Sequence, residues 1–176
     1  MQFPGFFTGK YNNLEVPKIP PDWRILITGI TSIHGWPIYN RLKQLVPQKQ
    51  LLAVRSPKMD IPRGENIHPL CITDNFEFKK IKNSFNPTHI IHGAGVCDLD
   101  ACEDRPEWAQ SINKGGARNI VDVFGASAYI MFLSSDLVFS GTNPPQNGYS
   151  ENHKADPVSV VGKTLFQAEQ EITNAE

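Results

Sequence analysis

The chain is short of the features that mark out special classes of protein. Only three of its 176 residues are cysteine (Cys71, Cys97 and Cys102). Their number is odd and no two form C-x-x-C, which argues against a disulfide framework and for a reducing compartment, with the cytoplasm as the expected location. Charge of one sign is also scarce: 17 Lys and Arg stand against 18 Asp and Glu, and no run of five like charges occurs. That balance leaves no electrostatic footprint for nucleic acid or an anionic membrane. No apolar run reaches spanning length, and Met1 to Lys10 lacks the basic start and continuous apolar stretch of a signal peptide. His34, His68, His89, His92 and His153 show no metal-ligand spacing, so no metal site is expected. There is no internal repeat and no low-complexity tract. What remains is a soluble protein with a small-molecule or protein partner, or a homo-oligomer.

What is present is a regular alternation. At this length one domain with a sizeable core is expected. Residues 1–22 are rich in Pro, Gly and Asn and end in Ile19-Pro20-Pro21-Asp22, which suits an irregular arm; Phe3, Phe6, Phe7 and Tyr11 either pin it to an apolar surface or belong to a disordered leader. From Trp23 onward apolar runs alternate with helical stretches. Arg24 to Thr28, Leu51 to Val54, Asn66 to Ile72, His89 to His92 and Tyr129 to Leu133 read as strands. Trp36 to Leu45, Asn75 to Ser84 behind an Asp74 cap, Pro106 to Phe124, and Val158 to the end read as helices. Unalternated apolar strands separated by helices imply parallel strands covered on both faces, a doubly wound α/β sheet of Rossmann-like type over 23–176. Ser140 to Pro157 is the one long irregular connection, a length usual for functional or mobile loops.

The first strand runs into Thr28-Gly29-Ile30-Thr31-Ser32-Ile33-His34-Gly35, the strand-to-helix context that a dinucleotide loop of the form T-G-x-x-G-x-x-G requires. Gly29 would make the tight turn, Gly35 would let the helix pack close to the sheet, and Ser32, Ile33 and His34 would lie where the helix N-terminus meets phosphate. Ser32 replaces the middle glycine; its Cβ restricts positive φ and close approach, so binding is expected to weaken rather than vanish. Arg55, at the end of the second strand, stands where an acid would hold an NAD ribose. It either pairs with the 2′-phosphate of NADP, helped by Ser56 or Lys58, or is a surface arginine. NADP is therefore favoured over NAD.

Longer motifs carry a resemblance. Ile91-His92-Gly93-Ala94-Gly95-Val96-Cys97-Asp98 with Asp100, Glu103, Pro106 and Asn113, then Leu133-Ser134-Ser135-Asp136-Leu137-Val138-Phe139-Ser140-Gly141, Gly148-Tyr149-Ser150-Glu151 and Asp156-Pro157, are similar in order and spacing to the motifs of extended short-chain dehydrogenases/reductases of the dTDP-4-dehydrorhamnose reductase type. The resemblance runs from Arg24 to the end. It implies cofactor contacts at Ile72, Gly93, Ala94, Gly95 and Ser134, with His92 and Cys97 in place of the family's Asn and Thr. Cys71 takes the place of an Asp near the adenine, and a thiol replaces an ionised acceptor poorly. The family also continues into a sixth strand and a sugar-nucleotide-binding lobe, so the chain is expected to be a fragment or to lack most of a substrate pocket.

The same resemblance exposes a conflict. Reduction on this scaffold needs a hydride from the nicotinamide and a proton for the forming alkoxide. In the family a Tyr gives that proton, a Lys lowers the Tyr pKa and grips the ribose, and a Ser or Thr polarises the carbonyl. Ser135 survives as a vestige, but the Tyr and Lys positions are Val161 and Leu165, and no Tyr-x-x-x-Lys occurs anywhere in the chain. Lys163 falls on another face of the helix. Val158, Val161, Leu165, Ala168 and Ile172 instead form an apolar stripe at helical spacing. Three readings follow. One is a nucleotide-binding, catalytically degenerate domain with a regulatory or scaffolding role, as in the regulatory subunit of methionine adenosyltransferase, which resembles these reductases. Another is an NADP-dependent sugar-nucleotide oxidoreductase or epimerase using Cys97, His92 or Asp136. The last is an interaction module without nucleotide.

Overall fold

The computed structural model describes residues 18–60, 63–64 and 66–174. Most of the expected arm, residues 1–17 with Phe3, Phe6, Phe7 and Tyr11, lies outside the described residues. The described chain enters below the sheet, where the buried Gln50 donates from Nε2 to the carbonyls of Pro20 and Trp23, both at 2.9 Å.

Five parallel strands follow: β1 (Ile25–Thr28), β2 (Leu51–Arg55), β3 (Ile67–Pro69), β4 (His89–His92) and β5 (Tyr129–Phe132), in the order β3-β2-β1-β4-β5. The chain crosses from one edge to the centre between β3 and β4, so β1 and β4 are neighbours whose connections leave in opposite directions. Their C-terminal ends form the switch point at which doubly wound sheets bind ligands. All four residues of β1 are buried because helices cover both of its faces.

Five helices cover the sheet: α1 (Gly35–Leu45), α2 (Asn75–Ser84), α3 (Leu99–Asp104), α4 (Pro106–Phe124) and α5 (Val160–Thr173). On one face Tyr39 of α1 packs with Ile25, Ile27, Leu51 and Ala53. On the other, Phe78 and Ile81 of α2 and Ile120 and Phe124 of α4 meet Leu26, Leu52, Val54 and Ile90. The Phe78 and Phe124 rings meet edge to face at 6.0 Å, a geometry worth about 0.5 to 1.5 kcal/mol beyond the area they bury. α5 lies along α4, and a third apolar cluster joins Val161 and Leu165 to Cys102, Ala109 and Val138. The α1 face stays open over β5, where Tyr129 and Met131 are 79% and 61% exposed. There Trp23 stacks on His89 at 3.6 Å and His89 on Tyr129 at 5.3 Å.

Apart from shifts of one residue at several ends and two short 3-10 turns, at Gln48–Gln50 and Asp136–Val138, the elements depart from the sequence reading at β3, α3 and α5. β3 is three residues rather than seven, although Leu70 N still donates to the Arg55 carbonyl at 2.9 Å just beyond its end. α3 was not anticipated: six residues are too few to show a period, but Asp98 caps it by accepting from Ala101 N at 2.8 Å. α5 begins at Val160, capped by Ser159, so Val158 is 65% exposed and is not part of the buried stripe. Asp74 does cap α2, accepting from Phe76 N at 2.9 Å.

Candidate functional site

A cleft of about 500 Å³ opens at the switch point. Its walls come from the β1–α1 turn (Gly29, Thr31, Ser32), the end of β2 with the turn after it (Val54 to Lys58), Leu70 to Thr73, the loop after β4 (Gly93 to Val96), and Trp108, Ser111 and Ile112 of α4. Of the residues singled out from sequence, Gly29, Ser32, Arg55, Ile72, Gly93, Ala94 and Gly95 meet here. Ile33, His34, Gly35 and Ser134 do not line it. Ile33 is 83% exposed and His34 is exposed, Gly35 is buried beneath the turn, and the Ser134 hydroxyl donates to Glu169 of α5.

Packing accounts for the glycines of the turn. Gly29 has φ +71°, and a Cβ on it would lie 2.4 Å from the Gly93 carbonyl oxygen; a Cβ on Gly35 would lie 2.2 Å from the Gly29 oxygen. Three backbone segments touch here, so these residues are glycine whether or not a ligand binds. Ser32 is free of the strain expected at its position, since the only described non-glycine residue with positive φ is Asn86. Its hydroxyl oxygen accepts the Gly35 N–H at 2.9 Å, so the substituted side chain satisfies a donor that a phosphate would otherwise meet.

Arg55 is the polar group that points to a ligand. Its Nη1 donates to the Ser56 and Met59 carbonyls, which holds the guanidinium at the cleft wall, while its Nε is buried with no hydrogen-bond partner. A buried, unpaired donor on a cation is costly unless an anion or water meets it. With Lys58 and Ser56 beside it, this wall fits a phosphorylated ribose. Across the cleft Asn119 donates to the Ile72 carbonyl at 3.0 Å, and Gly116 lets α4 approach so closely that a Cβ would lie 2.8 Å from Ile72 Cδ1. Asn113 clamps Val96 by both backbone groups, at 2.8 and 3.0 Å, and reaches Thr164 of α5 at 2.9 Å.

The opposite part of the rim is apolar and filled. Val161 and Leu165 are buried at 0% and 7% exposure, packed with Val96, Phe132 and Leu137. Gly162 presses the start of α5 onto the turn after β5; a Cβ there would lie 2.1 Å from the Leu137 carbonyl oxygen. The Ser135 hydroxyl accepts from Leu137 N at 3.3 Å and donates to Asp136 at 3.1 Å. Tyr149 stacks on Phe139 at 4.3 Å, inside a loop tied at its base by the Ser140 amide and hydroxyl, which both donate to Asp156 and hold its carboxyl below the usual range. Lys163 is exposed.

His92 is enclosed. Its Nδ1 pairs with Thr28 Oγ1 at 2.7 Å, Thr28 Oγ1 accepts from Ala94 N at 3.2 Å, and its Nε2 has no partner. Burial lowers its pKa to about 4. Its geometry is that of a neutral brace for the loop after β4, set behind the cleft wall. Sequence reasoning missed Trp108, Ser111 and Ile112, because a helix pattern tells which face is apolar but not which turn ends at a cleft. No group of three or more His, Cys, Asp or Glu arranged to hold a metal occurs among the described residues.

A doubly wound parallel sheet with a phosphate-type turn at its switch point defines the class. The chain belongs to the RmlD substrate binding domain family, whose pattern it matches over residues 23–176. It is 32% identical over 153 residues to methionine adenosyltransferase 2 subunit beta of Xenopus laevis, covering 86% of this chain and 43% of that protein. It is also 28% identical to a dTDP-4-keto-6-deoxy-D-glucose reductase of Streptomyces niveus, covering 85% and 47%. Among solved structures, a hypothetical dTDP-4-dehydrorhamnose reductase of Sulfolobus tokodaii aligns with TM-score 0.73 at 26% identity, over 84% of this chain and 51% of that one. The Bacillus anthracis dTDP-4-dehydrorhamnose reductase, solved with NADP, aligns with TM-score 0.67 at 25% identity, over 88% and 50%. The chain thus spans about half the length of the relatives it matches. Among the described residues no helix is long and apolar enough to cross a membrane.

Proposed function

We propose that this chain is a nucleotide-binding, catalytically silent member of its family that acts through a protein partner in the cytoplasm, with NADP preferred to NAD. The observation that carries the reading is the burial of Val161 and Leu165 in an apolar cluster where the family places its Tyr and Lys. Neither side chain can donate or accept a proton; Ser135 is engaged with Leu137 N and Asp136, and His92 is enclosed. The relatives named as a methionine adenosyltransferase subunit support a role within an assembly. The NADP-bound reductase and the Arg55 wall support the dinucleotide; when bound, such a group supplies hydride chemistry, which this wall does nothing to complete.

The test is NADPH oxidation by the purified protein with dTDP-4-dehydrorhamnose. No turnover above buffer is expected, since loss of a positioned acid alone costs about 10² to 10⁴ in rate. Turnover abolished by Ser135→Ala would establish an active oxidoreductase instead. Val161→Tyr alone should restore nothing, because an untuned phenol of pKa near 10 transfers protons poorly at neutral pH.

A further inference from the structure

We infer that the cleft reads a nucleotide by its adenosine end alone, and that a nicotinamide attached beyond the phosphates adds nothing to binding. This rests on the nucleotide-binding reading above and narrows its ligand class to adenosine nucleotides that carry a phosphate on the ribose, whatever follows the 5′-phosphate.

The division lies in the walls. A doubly wound sheet binds a dinucleotide as two mononucleotide halves on either side of the switch point. The cleft takes its lining from the turns after β1, β2 and β3, from the loop after β4 and from α4; none of it comes from the segment after β5 or from α5. On that side Phe132, Leu137, Val161 and Leu165 fill one apolar cluster, which Val96 joins from the edge of the cleft. The polar groups left there have partners within the chain: Ser134 with Glu169, Ser135 with Leu137 N and Asp136. A nicotinamide ring arriving on that side meets the apolar Val161 and Leu165 in place of a pair that would grip its ribose.

The junction between the halves points the same way. Ser32 accepts the Gly35 N–H, so the second phosphate of a pyrophosphate finds one donor fewer at the start of α1. The first half keeps what recognises charge: the Arg55 guanidinium, with Lys58 and Ser56 on the same wall. Binding free energy is therefore concentrated on the phosphorylated ribose and the adenine, and oxidation state is invisible to the site.

Calorimetric titration of the whole chain with NADP⁺, NADPH, adenosine 2′,5′-bisphosphate and NAD⁺ tests this. Trp108 provides a second signal, because it lines the cleft and its fluorescence should change with each ligand that binds. The first three ligands should have dissociation constants within threefold of one another, and NAD⁺ should be weaker by roughly tenfold or more, the weight of a charge-assisted contact. Arg55→Ala should weaken all three phosphorylated ligands by one common factor. If NADP⁺ or NADPH binds more than tenfold tighter than the bisphosphate, or the two redox forms differ by that much, the inference falls while nucleotide binding stands. NAD⁺ binding as tightly as NADP⁺ would overturn the ribose-phosphate part. If none of the four binds, both readings fall.

Discussion

Two helices of this domain share a serine-to-glycine contact at their start and end up serving different surroundings. Ahead of α1, Ser32 accepts the N–H of Gly35; ahead of α5, Ser159 accepts the N–H of Gly162, at 2.9 and 3.0 Å. Each glycine lies against a backbone carbonyl, that of Gly29 or of Leu137, with no room for a Cβ. Between serine and glycine the two differ. The turn leading into α1 carries Ile33 and His34, both exposed beside an open cleft, whereas the first turn of α5 carries Val160 and the fully buried Val161. The serine-to-glycine contact and close approach are thus a construction method common to both halves of the rim. Whether a half is open or filled depends on the side chains placed between the serine and the glycine, and on the next turn of the helix.

Breaking the filled half should cost most. Leu165→Ala removes a buried side chain from the third cluster and should lower unfolding free energy by about 2 to 5 kcal/mol in urea titrations, with nucleotide affinity unchanged. A loss below 1 kcal/mol would mean that this half is loosely packed.

The brace behind the open half should show as pH dependence. Burial lowers the His92 pKa to about 4 from 6.5, so between these values the unfolded chain binds a proton that the folded chain refuses. Stability is full above pH 6.5 and falls as pH drops toward 4, by roughly 3 kcal/mol in all and roughly 2 by pH 5. In His92→Asn, the difference in stability between pH 7.5 and pH 5 should shrink by most of that amount; an unchanged slope would place the titrating group elsewhere.

Gly35→Ala and Gly162→Ala each force a Cβ onto a carbonyl oxygen and should destabilise by about 1 to 3 kcal/mol. They should part on binding, with Gly35→Ala weakening nucleotide and Gly162→Ala leaving it alone. The smallest effects belong to the two serines: Ser159→Ala removes a helix cap and Ser32→Ala the bond to Gly35 N, and each should cost about 1 kcal/mol. Ser32→Ala also frees the Gly35 N–H, so nucleotide affinity should rise in that variant alone, which calorimetry against NADP⁺ would reveal.

Much of this arrangement was legible in the chain. β4, α2 and α4 have the bounds that their periods, caps and Pro106 implied, because signals at both ends of an element are local. The turn at Gly29 to Gly35 was legible because strand, glycine spacing and helix follow one another without a gap. What escaped depends on distance in sequence. The Ser134 hydroxyl turns from the cleft to Glu169, 35 residues on, and α4 brings Trp108 to a wall otherwise made of loops. The role of Ser32 inverted for a different reason: a side chain able to greet a phosphate is equally able to close the helix behind it, and only geometry distinguishes the two. Val158 fits the helical period but precedes the cap, so its place in the stripe was lost to a boundary two residues later.

The two edges of the sheet are not equivalent, and that gives the domain a direction of growth. β3 is three residues long and ends in Pro69, which offers no N–H to a neighbour, so that edge refuses further pairing. β5, Tyr129-Ile130-Met131-Phe132, has neither proline nor charge, and among the described residues nothing pairs with its outer side. Any strand added to this sheet, from whatever source, must therefore join beside β5, extending the apolar half of the rim and leaving the half that carries Arg55 at its present width.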